Sequence, residues 1–168
     1  MTVPPVLRRL ASGGRGASTV EFALVGPLLV SLLIGMAEFA RVTVTQVLLE
    51  GAARDASRYG ITGSVVAGQP PITEAQREVQ ITAVVAKETA GLVDMSKLSI
   101  TMMAYADFSD VGQSPGQSGA GTADQVVVYT LTYDQPLITN LFAGVLHRAS
   151  FHHVATVVVR NEPFSAQD

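Results

Sequence analysis

The sequence predicts an α+β protein: a long N-terminal helix that includes a membrane span, followed by a small domain in which a helix packs on a three-stranded antiparallel sheet. Three observations predict it. Residues Phe22 to Ala37 carry no charge at all. Thr73 and Gln76 have the spacing of a capping pair that opens a helix. Three later stretches alternate with the two-residue period of a strand that has one buried face.

The chain has 168 residues, enough for one modest domain and an appendage. Its mean hydropathy is positive and only 15% of its residues are charged. The net charge of −3 gives no basic surface for nucleic acid, and none is expected as a partner. Charge is unevenly placed. Arg8, Arg9 and Arg15 are the only charges before Glu21, whereas eight basic and fourteen acidic groups follow Gly16. There is no cysteine, so disulfides and thiolate chemistry are excluded.

A membrane helix needs about 20 residues to cross about 30 Å of hydrocarbon. The span is placed at about 20–41, inside a helix running from near Ser18 to about Tyr59. Glu38 and Arg41 lie three apart on one helical face and can pair. Arg54, Asp55 and Arg58 mark a later part expected to sit in water. Pro27 removes a backbone donor, so a kink or local unwinding is expected near Val25 to Pro27. Arginines before the span put the N-terminus in the cytoplasm and the residues beyond about 42 outside. Three readings of this segment stay open. It is a secretory signal peptide cut after Ala37, although Glu21 breaks the order such peptides follow. It is a plain single-pass anchor, with Glu21 an interfacial charge. Or Glu21 has a cationic partner at the same depth on another chain, since acids in membrane segments are costly and mark partners. Small residues (Ala23, Gly26, Ser31, Gly35) permit close helix approach.

Residues 60–71 read as a loop. A helix is expected from Glu74 to Ala90, ended by Gly91, with Val79, Ala83, Ala86 and Ala90 on the face toward the sheet. Leu98 to Ala106 alternates as a strand. Residues 107–123 form a Gly/Ser/Pro-rich loop expected to be mobile, and its GQSGAG lacks the setting of a nucleotide fingerprint. Asp124 to Asp134 is the clearest strand, with Val127, Tyr129, Leu131 and Tyr133 on one face. Pro136 to Leu146 is apolar and uncharged, either packed on the core or in contact with lipid headgroups or a partner. Ser150 to Arg160 is the last strand of an antiparallel meander.

Catalytic and metal chemistry is sought and not found. His152 and His153 are adjacent on a strand and point to opposite faces, so they cannot share a metal, and His147 adds no third ligand to either. Asp107 and Asp110 lie in a loop that suits solvation better than acid–base work. Arg160 and Glu162, two apart on one strand face, either fix the chain end or cap a partner. No cofactor, metal or enzymatic activity is expected.

Two sets of residues resemble a known family. At the N-terminus these are Gly16, then Ala17-Ser18-Thr19-Val20-Glu21-Phe22-Ala23-Leu24-Val25, Pro27-Leu28-Leu29, Glu38-Phe39-Ala40-Arg41 and Ala52-Ala53-Arg54-Asp55-Ala56-Ser57-Arg58-Tyr59. At the other end they are Val157-Val158-Val159 and the closing Arg160-Asn161-Glu162-Pro163-Phe164. Together they resemble the TadE-like family, minor pilins or pseudopilins of the tight-adherence (Tad, Flp-type) pilus machinery. Gly26 departs from that family's bulkier aliphatic residue. The resemblance implies a leader of residues 1–16, a helix over 17–59 and an exported domain over 60–168. It implies cleavage by a prepilin peptidase between Gly16 and Ala17, in a bacterial inner membrane. Glu21, beside Phe22, would then meet the new Ala17 amine of a neighbouring subunit. The partners implied are the peptidase, other pilin and minor pilin subunits, and inner-membrane lipid. The alternative is an uncleaved single-pass envelope protein whose exported domain binds a ligand or partner.

Overall fold

The computed structural model describes residues 15–62, 73–89, 91–139, 143–147 and 149–163. The chain divides into two compact units, residues up to Ala40 and residues from Arg41 onward. The first is helical from Arg15, and the helix (α1, Arg15–Ile61) continues without interruption into the second unit. Pro27 lies inside it and causes no local unwinding. The Ser31 hydroxyl donates to the Pro27 carbonyl at 2.7 Å, which satisfies that polar group within its own segment.

The second unit is built on a four-stranded antiparallel sheet, order β2-β1-β3-β4. Its strands are β1 (Leu98–Tyr105), β2 (Gln117–Ser118), β3 (Val126–Pro136) and β4 (Ser150–Arg160). β1, β3 and β4 are the expected meander. β2 is a two-residue edge strand that sequence periodicity cannot reveal. Register follows the alternation: Ile100 faces Leu131 and Leu131 faces Ala155, so one face gathers the apolar side chains. Along β4, His153 and Ala155 are buried while His152, Val154, Thr156 and Val158 are exposed. The outer face carries rows such as Thr101–Thr130–Thr156 and is open among the described residues.

Two helices cover the inner face. α2 (Glu74–Glu88) starts at the expected capping box, with Thr73 and Gln76 exchanging side-chain to backbone bonds. Its buried face is Arg77, Ile81 and Val85, and not the expected Val79, Ala83 and Ala86; Val79 is 70% exposed. A charged residue sits in the buried stripe, so a count of apolar residues selects the wrong face. Arg77 is accommodated because its guanidinium donates to the Gly121 carbonyl at 2.9 Å. Ala90, the expected end, lies outside the described residues.

The later part of α1 is not solvated all round, as the sequence suggested. Leu49, Ala52, Ala53 and Ala56 are fully buried against the sheet in one core with Ile81, Val85, Tyr129 and Leu131. Their small size lets the helix approach closely. Arg54, Asp55 and Arg58 occupy its opposite, exposed side as expected, with Arg54 pairing with Glu50 at 3.5 Å. The end of α1 meets the sheet at its tightest point. A Cβ at Gly60 would lie 1.9 Å from the Tyr129 hydroxyl oxygen.

The stretch 107–123 is not a mobile loop but a fixed one. Asp107 and Asp110 form a capping box around a single 3-10 turn, so this carboxylate pair is structural. The Gly119 amide donates to the Met102 carbonyl at 3.0 Å, and Ala120 is fully buried. Gly121 adopts φ +68°, a left-handed conformation, with no room for a side chain beside Val127.

Gly60→Ala should therefore destabilise the domain by about 1–3 kcal/mol through overpacking. The Tyr129 hydroxyl has no hydrogen-bond partner among the described residues, and burial raises its pKa to about 12. Tyr129→Phe should accordingly be close to neutral and should recover part of the Gly60→Ala loss. Thermal melts of the detergent-solubilised single and double variants check both.

Candidate functional site

The candidate segment is the start of α1. Arg15, Gly16 and Ala17 already lie in the helix, so the expected cut site falls in its first turn. Glu21 and Phe22 are exposed, Phe22 to 77%, and Glu21 has no ion-pair partner among the described residues. No residue from Ser18 to Ala37 is buried. Leu24, Leu28, Leu32 and Met36 each present more than half of their surface. A soluble domain does not expose a continuous apolar surface of this kind. Over this stretch α1 is long and apolar enough to cross a membrane.

Glu38 differs from the residues before it, being only 5% exposed and engaged in an interaction. Arg41 donates to the Pro136 carbonyl at 3.0 Å, which binds the helix to the end of β3. Nearby, Thr45, Gln135 and His153 are buried polar residues of the sheet–helix contact. His153 Nδ1 lies 3.0 Å from Gln46 Oε1, and its ring stacks on Tyr133 with centroids 6.3 Å apart. Gln46 also donates to Glu50 and to the Val154 carbonyl, so its amide oxygen is the acceptor for His153.

His152 points the other way, to Asp134 at 2.9 Å on the exposed face. The two histidines are thus separated as expected. No group of three or more His, Asp or Glu side chains among the described residues is arranged to hold a metal ion.

The closing motif is a latch on the domain's own chain end. Arg160 pairs with Asp107 at 2.8 Å, with its guanidinium over the Phe108 ring at 5.5 Å. Asn161 is buried, and its amide nitrogen donates to the Ala120 and Thr122 carbonyls at 3.0 and 2.9 Å. The Glu162 backbone amide donates to the Ile61 carbonyl at 3.0 Å, satisfying one of the open acceptors at the end of α1. Glu162 lies beyond β4 and does not share a strand face with Arg160, correcting the sequence expectation. Pro163 is exposed, and Phe164 lies outside the described residues. Of the two roles left open for this motif, the geometry supplies the first, fixing the chain end. The Asp107–Arg160 pair joins two segments that no local sequence signal connects.

Among the described residues α1, charge-free from Phe22 to Ala37, is the one helix long and apolar enough to act as a single-pass membrane anchor, and it is joined to a small α+β domain. Residues 16–58 match the family model described as TadE-like protein. The match begins at Gly16 and ends three residues before α1 does. No curated protein and no solved structure matches the chain significantly.

Two outcomes follow. Asn161→Ala leaves the buried Ala120 carbonyl without its side-chain donor and the Thr122 carbonyl with the Gln125 amide alone, and should cost about 1–3 kcal/mol, read as a lower melting temperature. Burial, with the neighbouring His152 charge, lowers the His153 pKa against a smaller opposing effect of Asp134. The unfolded chain then takes up the proton first as pH falls below about 6.5. The His153 contribution is complete above that pH and is lost as the pH drops toward the folded-state pKa. Melts from pH 7.5 to 5 should show a fall that is smaller in His153→Gln.

Proposed function

We propose that this chain is a non-enzymatic minor pilin, or pseudopilin, of a Tad pilus, processed by a prepilin peptidase after Gly16 and assembled through α1. The observation that carries this reading is the unburied apolar surface from Ser18 to Ala37, within a segment whose family match begins at Gly16. Cleavage there would make Ala17 the first residue and create an ammonium at the positive end of the helix dipole. In the assembled fibre Glu21 of one subunit neutralises the Ala17 amine of the next. At low dielectric the attraction is strong and the desolvation of both groups offsets much of it. The pair would then act mainly to set register and to admit processed subunits only. The N-terminus lies in the cytoplasm, the domain outside the inner membrane, and other pilin subunits are the partners.

N-terminal sequencing of protein extracted from its native membrane tests the reading. A chain beginning at Ala17 is expected. An intact Met1 would favour an uncleaved anchor, and a start at Glu38 a signal peptide. Gly16→Leu should abolish the shortened form on a gel. Glu21→Ala should be trimmed normally yet be depleted from sheared pili, and undiminished incorporation would remove the amine-pairing role.

A further inference from the structure

We propose that the outer edge of β4 takes an extended segment of a different polypeptide as an added strand, held by backbone hydrogen bonds and by Arg54. The proposal concerns the domain alone and does not depend on how α1 is processed or anchored. The direction of the hydrogen bonds of β4 carries it. At the two ends of the β3–β4 register the Leu137 amide donates to the Ala149 carbonyl and the Asn161 amide to the Gln125 carbonyl. Bonded pairs alternate along an antiparallel ladder. His153, Ala155 and Val157 therefore turn their backbone groups to β3, and His152, Val154, Thr156 and Val158 turn theirs away from the sheet. Among the described residues one of these outward groups is engaged: the Val154 carbonyl accepts from Gln46 at 3.3 Å.

Exposed edges are ordinarily blunted by proline, lysine, a bulge or shortness. The opposite edge of this sheet is so treated, since β2 has two residues and Pro115 stands just before it. β4 runs for 11 residues in unbroken register, without proline, lysine or glycine, and Val154, Thr156 and Val158 are exposed along it. The polar side chains at its ends are engaged within the domain, His152 with Asp134 and Arg160 with Asp107. A groove of about 260 Å³ lies along the edge, between Glu50 and Arg54 of α1 and residues 154–157. A second copy pairing β4 with β4 would bring its own α1 to that groove, where neighbouring strands stand about 4.8 Å apart and packed helices need about 8–10 Å. A lone extended segment meets no such conflict. Glu50 is engaged by both Gln46 and Arg54, whereas the Arg54 side chain is 69% exposed. The segment that fits therefore carries a carboxylate on its inward side, opposite Arg54. Main-chain bonds supply its affinity and this pair its selection.

The test uses the full chain in detergent micelles and, as probe, an eight-residue peptide of alternating threonine and valine with one central glutamate. Amide hydrogen exchange is read by NMR. The amides of His152, Thr156 and Val158 are expected to slow by about tenfold at a peptide concentration ten times the Kd. The same peptide N-methylated at every residue should leave them unchanged. Arg54→Ala should weaken binding by about two- to fivefold. Val158→Lys should abolish the slowing without lowering the melting temperature. No slowing at about 1 mM peptide would overturn the proposal. Equal slowing by the methylated peptide, or binding that survives Val158→Lys, would overturn it too. Slowing that rises with protein concentration in the absence of peptide would assign the edge to a second copy instead. Unchanged affinity in Arg54→Ala would refute the carboxylate pairing.

Discussion

The structure depends on one solvation constraint: the first half of α1 has no face that water suits. Phe22, Leu24, Leu28, Leu29, Leu32, Leu33 and Met36 are all more than half exposed. Transfer of each from water is favourable by roughly 1.5–3 kcal/mol. Against this stands Glu21; insertion scales put a charged side chain at about 2.5–3.5 kcal/mol at the bilayer centre. The apolar side chains prevail by a wide margin. Glu21 is thus outweighed by its neighbours, which is why its charge needs an explanation and theirs do not.

Beyond Ala40 the same helix changes solvent and meets protein. Leu49, Ala52, Ala53 and Ala56 give it a narrow, small-residue stripe that fits flush on the sheet. Gly60 completes this stripe where Tyr129 crosses, and the Glu162 amide closes the helix end. One element therefore serves as lipid anchor and as core helix, with its residue sizes changing to match.

Much of this was legible in the sequence. Alternation fixes which residues of β3 and β4 turn inward, because a one-residue slip would expose Tyr129, Leu131 and Ala155 together. The Thr73–Gln76 box fixes the start of α2. The face of α2 was not legible, because Arg77 belongs to the buried stripe through a carbonyl contributed 44 residues later. Loop 107–123 was misjudged for a similar reason. Its order comes from partners on β1, α2 and the closing motif, whereas composition reports only local preference. At the start of α1, the residues of the candidate site and their spacing are visible directly. The pairing proposed for Glu21 needs a second chain, which a single sequence does not contain.

The latch at Asn161 and Glu162 has a consequence for the order of events in synthesis. Its acceptors, Ile61 and the Ala120–Thr122 turn, leave the ribosome long before the donors do. The hydrophobic helix is thus complete, and available to the insertion machinery, while the domain still lacks its last strand and its fastening. The late position of the closing residues leaves the sheet without β4 and its fastening until β4 itself has been made.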